Sequence, residues 1–234
     1  MSDSLGDRIK RYEASYNQLL TPRTPVIIRV DGRAFHTYTK DFERPFDQNL
    51  MCAMIAAARH TASEMQGFKL AYIQSDEATF LLSDYDKLDT QPWFGYELNK
   101  LVSLSASLFT AHFNACIKFL CGGAVTSPAT FDARAFNMPA DDAPNAFIWR
   151  QRDWERNSLQ MLARSHFSHK QLHGKGRQDM HDMLHKIDVN WAELSPREKN
   201  GTFIRADGLL MHDHADYELI QSWIEFTSTP GESQ

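Results

Sequence analysis

Pro25-Val-Ile-Ile-Arg-Val-Asp31-Gly32, together with the later runs Phe68-Lys-Leu-Ala-Tyr-Ile73 and Ala78-Thr-Phe-Leu-Leu82, decides how this chain folds. The first run is short, apolar and rich in β-branched residues, and Gly32 stops it, so it reads as a buried strand. The other two are strand-like and are separated only by Gln74, Ser75, Asp76 and Glu77, which predicts a β-hairpin with its polar residues at the tip. Asp31 then ends one strand and Asp76 sits at the hairpin tip. If the hairpin pairs beside the first strand, both carboxylates emerge at the same sheet edge. Two acids placed in this way suit a pair of Mg2+ ions, because Mg2+ takes one or two carboxylates and completes its octahedron with water and substrate phosphates. Two such ions about 3.5–4 Å apart clamp the attacking and leaving oxygens of an in-line phosphoryl displacement. Either aspartate taken singly reads more readily as a turn residue; the pair at opposed strand ends is what points to metal-dependent phosphoryl displacement.

Working outward, Gly32 to His36 follows the first strand. Glycine lets backbone approach a ligand closely, and consecutive amides in such a turn form a nest for phosphate oxygens. Residues 32–46 read as a loop, and Asp47 caps a long helix to about Gln66. Ser4 to Tyr16 reads as a helix capped by Ser4, with Leu5, Ile9 and Tyr12 on one face. A further helix spans about Tyr96 to Phe113, with Ala106, Ala111 and Ala115 on its small apolar side. Val125 and Phe131–Asn137 read as one or two strands interrupted by Pro128, and residues 132–142 carry no recognisable motif. The order strand, helix, hairpin, helix, strand predicts an α+β fold with two helices on one face of an antiparallel sheet. After Pro144 the pattern turns helical: Asn145–Phe167, a Gly-bearing link at 173–176, and Arg177–Ile187. Gly201–Asp207 reads as a late strand, and the tail past Phe226 is polar. The expected division is a catalytic domain over 1–143 and a helical extension with a late strand over 144–234, packed on the catalytic domain.

At 234 residues and 42% hydrophobic, the chain has enough apolar material for a real core. No apolar run approaches the roughly 18–20 residues of a membrane helix, and the N-terminus lacks an apolar signal core, so a soluble, cytoplasmic protein is expected. Three cysteines, Cys52, Cys116 and Cys121, are too few and odd in number for a disulfide framework. The net charge is −5, yet residues 150–177 carry seven Lys or Arg against Asp153 and Glu155. A basic segment inside an acidic chain follows a phosphate backbone or is a solvated helix face; charge alone does not choose. The histidines at 166, 169, 173, 181, 185, 212 and 214 lack an accompanying carboxylate motif and read as surface or RNA-facing groups. The aromatics Phe147, Trp149, Trp154 and Phe167 read as helix packing.

The residues also carry a resemblance. IIRVDGRAFH at 27–36, RPFD at 44–47, IQSDEATF at 73–80 and WRQRD at 149–153 look like the tRNA-His guanylyltransferase family and its Thg1-like branch. The matches run in family order over about residues 5–155, and Gly201-Thr202 resembles the family's late strand. The resemblance implies a palm-like polymerase or cyclase-type sheet with a helical C-terminal extension, and addition of nucleotides in the 3′-to-5′ direction at the 5′ end of a tRNA. By residue matching it implies two Mg2+ ions on Asp31, Asp76 and the Gly32 carbonyl, with Glu77 as a supporting acid. The backbone of Gly32, Arg33, Ala34, Phe35 and His36 would cradle the triphosphate of ATP, GTP or another nucleotide, with Arg44, Asp47 and Ser75 also at the nucleotide. Arg150, Arg152, Arg156, Asn157, Arg164, Lys170 and Lys175 are the candidate RNA contacts. A homo-oligomer, a tetramer by analogy, is implied as well.

Departures from the family narrow the expected reaction. Where eukaryotic members carry H-I-N-N-L-Y-N, this chain reads WERNSLQM at 154–161, and a later Lys-Asn-Glu motif is replaced by LHKID at 184–188. The differences favour template-dependent repair of truncated 5′ ends over addition of a single 5′ guanosine. A palm-fold nucleotidyl cyclase or a conventional polymerase is the other alternative, and a non-catalytic RNA-binding module the rival from another class; neither a cyclase nor a conventional polymerase explains the basic segment, and a decayed site does not explain intact Asp31, Gly32, Ser75, Asp76 and Glu77.

Overall fold

The computed structural model describes residues 4–87, 89–125 and 127–224. In chain order the elements are α1 (Leu5–Ala14), β1 (Val26–Gly32), α2 (Phe35–Tyr38), α3 (Gln48–Ser63), β2 (Phe68–Gln74), β3 (Glu77–Leu82), α4 (Leu98–Leu120), β4 (Phe131–Asn137), α5 (Ala143–His166), α6 (His169–Leu172), α7 (Arg177–His185), α8 (Pro196–Asn200), β5 (Thr202–Arg205), β6 (Leu210–Met211) and α9 (Tyr217–Ile224). The strands form one antiparallel sheet in the order β4-β1-β3-β2-β5-β6.

The predicted hairpin forms, with Ser75 in the left-handed region at φ 46° so that the chain reverses within Ser75-Asp76. It pairs beside β1 with Asp31 opposite Glu77. Asp47 caps α3 by accepting from the Leu50 N–H at 2.8 Å. That helix ends at Ser63 rather than Gln66, because Gly67 at φ 79° lies against the Ser83 carbonyl, where a Cβ would collide.

Four expectations are corrected. The 32–46 segment is not all loop, since α2 turns within it around the buried Phe35. Helix α4 runs on to Leu120, and its buried stripe is Leu101, Ser105, Phe109, Phe113 and Ile117, while Ala111 and Ala115 are exposed. Large residues at i, i+4 fill the space over the sheet better than alanines do. Val125 lies outside any strand, and the late strand ends at Arg205, two residues short of Asp207, with a turn at Gly208 leading to the further short strand β6. The tail past Phe226 lies outside the described residues.

The helical extension adds a second layer to the sheet. One face of the sheet carries α3 and α4, through a core that includes Met54, Phe80, Phe109 and Phe113. The other face is also covered: Ile27, Leu70, Tyr72, Leu81 and Phe203 pack against Ala143 and Phe147 of α5 and Ile220 of α9. Strands buried on both faces lose polar alternation and read as continuous apolar runs, so the pattern does not reveal the second layer. Both β5 and β6, from beyond residue 143, join the same sheet, with β5 paired to β2. A smaller cluster docks α7 on α5 through Leu159, Leu162, Ala163, Met180 and Leu184. Among the described residues no helix is long and apolar enough to cross a membrane.

Candidate active site

The end of β1 and the hairpin tip are stitched together by backbone. The Gly32 N–H donates to the Asp76 carbonyl at 3.0 Å, and the Arg33 N–H to Thr130 at 2.9 Å. Asp31, Asp76 and Glu77 therefore gather at one edge of the sheet, as the sequence predicts. Burial pushes the Asp76 carboxyl above its ordinary value; the Ser75 hydroxyl and its own backbone N–H oppose this, and the charge of Asp31 adds to it. Glu77 is raised by burial too, against the pull of Arg150 and Arg29.

Glu77 is held rather than presented. Arg150 grips it with Nε 2.7 Å from Oε1 and Nη2 donating to Oε2 at 2.8 Å, and Arg29 stands 3.7 Å away. Arg150 also bonds Asp153 at 3.2 Å. A forked guanidinium on a buried carboxylate fixes both groups, consistent with a supporting acid. On the other side, β4 brings Asp132 opposite Asp31, and Arg134 reaches within 4.0 Å of Asp31 and 3.4 Å of Asp132. Sequence reasoning missed Arg29, Arg134 and Asp132. The signal available was the alternation in β4, where Asp132 and Arg134 point out while Phe131 points in.

The donor set would suit Mg2+: two hard carboxylates, one of them disfavoured by burial and by its neighbour's charge, so that a cation would relieve both costs. Among the described residues no group of three or more His, Cys, Asp or Glu forms a ready metal cage, so an ion here would draw most of its ligands from water and phosphate.

Gly32 is required by packing: a Cβ there would sit 2.3 Å from the ring of Phe35. Phe35 stacks among Tyr38, Phe113 and Phe131, which anchors the turn from below while Arg33, Ala34 and His36 stay exposed. Phe35 thus serves the turn through its ring, and what the turn offers a ligand is backbone and the His36 side chain. Beside the hairpin tip opens a cavity of about 260 Å³, whose lining includes His36, Arg44, Asp47 and Ser75 together with Gln74 and Trp154. The Asp47 carboxylate is largely occupied, accepting from both the Leu50 and the Glu43 N–H groups.

The candidate RNA contacts divide into groups. Arg150 is turned inward on Glu77, Arg156 pairs with Asp153, and Asn157 donates to Asp153 at 3.4 Å. Arg152, Lys170 and Lys175 are exposed, and Arg164 is exposed at the rim of the cavity. Gln151 is fully buried, clamping Ala215 through N–H and C=O and touching His214. Trp149 is 60% exposed, whereas Phe147 and Trp154 pack as expected. His181 lies edge-on to Trp191, and His214 meets Glu155 at 2.8 Å.

Three comparisons bear on this arrangement. A family model described as tRNAHis guanylyltransferase matches residues 6–139. The tRNA(His) guanylyltransferase of Schizosaccharomyces pombe is 36% identical over 162 residues, which span 68% of this chain and 59% of that protein. A bacterial tRNA(His) guanylyltransferase-like protein solved in complex with ATP superimposes with a TM-score of 0.91 at 41% identity, covering 95% of this chain and all of the other. A second, solved in complex with GTP, gives 0.80 at 36% identity, with 95% and 100% coverage. The chain belongs to the tRNA-His guanylyltransferase family.

Proposed function

We propose that this chain is a Mg2+-dependent nucleotidyltransferase that adds nucleotides in the 3′-to-5′ direction to the 5′ end of tRNA or tRNA-like RNA, in a template-dependent repair of truncated ends. The observation that carries the reading is the meeting of Asp31 and Asp76 at one sheet edge, directly beside a cavity lined by Ser75, His36 and Arg44. Solved relatives in complex with ATP and with GTP support nucleoside triphosphates as substrates.

In this reaction the 3′-hydroxyl of an incoming nucleotide attacks an activated 5′ phosphate of the RNA, and pyrophosphate or AMP leaves. Bound at Asp31 and Asp76, Mg2+ would supply positive charge for the attacking and leaving oxygens. The chain's own residues position the reactants. The Gly32 and Arg33 amides are taken by Asp76 and Thr130, so the amides that the turn can offer to phosphate oxygens are those of Ala34, Phe35 and His36. Arg134, half exposed beside Asp31, offers a guanidinium to a phosphate on the same side. Glu77, locked by Arg150, keeps the strand ends in register without reaching for substrate. Catalysis of this kind is mostly positioning and charge neutralisation and needs no covalent nucleophile. The direct test is incorporation of labelled triphosphate onto the 5′ end of a truncated tRNA. No incorporation with Mg2+ and all four triphosphates present would defeat the assignment.

A further inference from the structure

Helix α1 buries none of its residues against the rest of the chain. Its apolar residues nevertheless form one stripe. Leu5, Ile9 and Tyr12 recur at helical spacing, and Tyr16 continues the stripe in the turn that follows, yet the four are 66%, 47%, 66% and 80% exposed. The helix is capped and its C-terminal side is anchored. Ser4 accepts from the Asp7 N–H at 3.1 Å. Beyond the helix, the Leu98 N–H donates to the Gln18 carbonyl at 2.8 Å and the Leu20 N–H to the Tyr96 carbonyl at 3.0 Å. A helix this short is marginal in water by itself, and an amphipathic helix ordinarily gains its stability by burying its apolar face. Four large apolar side chains in one exposed row therefore call for a partner.

The spacing and the charges say which partner. The steps from Leu5 to Ile9, Tyr12 and Tyr16 are four, three and four residues, the seam of a two-stranded coiled coil with Leu5 and Tyr12 at its d positions and Ile9 and Tyr16 at its a positions. Ile at a with Leu at d favours two parallel strands. In this register Arg8 and Glu13 flank the seam on opposite sides, at g and e, and neither makes an ion pair among the described residues. Two identical parallel helices set each g residue against the e residue five places on in the other copy. Arg8 of each copy then meets Glu13 of the other, twice by symmetry. Antiparallel pairing sets g against g and e against e and forfeits both pairs. An RNA laid on the stripe would meet the Glu13 carboxylate, while Lys10 and Arg11 lie on the far side of the helix at b and c.

We propose that α1 is a self-association element: two copies of this chain pair through it in parallel. Leu5, Ile9, Tyr12 and Tyr16 of one copy bury against the same residues of the other, with an Arg8–Glu13 pair on either side of the seam. The two-fold axis runs along the helices, so both chains leave the seam in the same direction and their sheets lie at the same end of it. The seam spans fewer than two heptads, which makes the pairing reversible and dependent on concentration.

The test is sedimentation equilibrium of the full chain over a wide range of concentration. The unsubstituted chain should self-associate reversibly. Ile9→Ser removes one buried side chain from each copy and should weaken association at least about tenfold. Arg8→Glu and Glu13→Arg each turn two attractive pairs into repulsive ones and should each weaken it at least about fivefold. The double variant Arg8→Glu/Glu13→Arg restores both pairs with their signs exchanged and should recover the original association. Because α1 buries nothing within its own chain, the melting temperature of each variant, measured at a concentration where it is monomeric, should equal that of the unsubstituted chain. A chain that stays monomeric at every concentration would overturn the proposal. Association untouched by Ile9→Ser would do the same, by placing the contact on another face. A double variant as weak as the single ones would rule out the parallel register. Loss of RNA binding in Ile9→Ser with association unchanged would assign the stripe to RNA instead.

Discussion

The Asp76 carboxyl carries a cost that the protein alone does not offset, because burial and the charge of Asp31 both disfavour its ionised form. Asp76→Asn keeps the shape and removes the charge. The chelator-treated variant should therefore melt higher than the unsubstituted chain at neutral pH, while nucleotide transfer falls at least about 100-fold, the scale of losing one electrostatic stabiliser. Circular dichroism melting alongside a labelled-triphosphate assay checks both halves; near-normal turnover in a folded variant would mark Asp76 as an ordinary turn residue. At Gly32 the constraint is steric. A methyl group there meets the Phe35 ring at 2.3 Å, and that ring is wedged among three other aromatics. Gly32→Ala should destabilise the chain by about 1–3 kcal/mol, as overpacking does, and displace the amides that face phosphate. A lowered melting temperature with weakened triphosphate binding is the expected result.

At the scale of elements, α5 joins the parts of the site. Phe147 packs it on the sheet, Gln151 clamps Ala215, Arg150 holds Glu77, and Trp154 and Arg164 reach the cavity. Breaking the Arg150–Glu77 pair leaves a buried carboxylate with Arg29 at 3.7 Å as its remaining cation. Arg150→Met should cost about 3–5 kcal/mol, and adding Glu77→Gln should recover part of it. Denaturant titrations of the two single variants and the double variant measure this, and strict additivity would show that the pair is not coupled. The basic segment makes a separate prediction. Since Arg156 pairs with Asp153 and Arg164 borders the cavity, the clean probes of an RNA surface are Arg152, Lys170 and Lys175. Reversing these three to Glu should weaken RNA binding, with triphosphate affinity unchanged. The log-log salt dependence should flatten by about 0.7–0.9 for each phosphate that the protein no longer neutralises. Unaltered RNA affinity would make the segment a solvated face.

For the whole molecule the open question is what chooses the incoming nucleotide. The stretch after Gln151 lacks the family's H-I-N-N-L-Y-N. If selection at the growing end is by pairing with the opposite strand, a mismatch forfeits the closing base pair and its stacking. Truncated tRNAs whose opposite base is A, C, G or U in turn should then each receive the complement. Guanosine added regardless of the opposite base would identify guanylylation without a template.

What the sequence determined by itself was everything that depends on near neighbours. The apolar run into Asp31, the short gap between Phe68–Ile73 and Ala78–Leu82, and the caps at Ser4 and Asp47 are local facts, and each formed as read. So did the gathering of Asp31 and Asp76, since a hairpin beside a strand leaves few other places for its tip. The tertiary structure alone decided which charges meet. Arg150 lies 73 residues from Glu77 and reads as a surface cation until α5 is laid across the sheet. Arg134 looks unremarkable until β4 pairs with β1 and sets it beside Asp31. The second helical layer, the β2–β5 pairing and the cavity lined by both Gln74 and Trp154 belong to the same class. Such meetings depend on how remote segments are registered in space, and a one-dimensional pattern of polar and apolar residues encodes which faces must be buried but not which partners bury them.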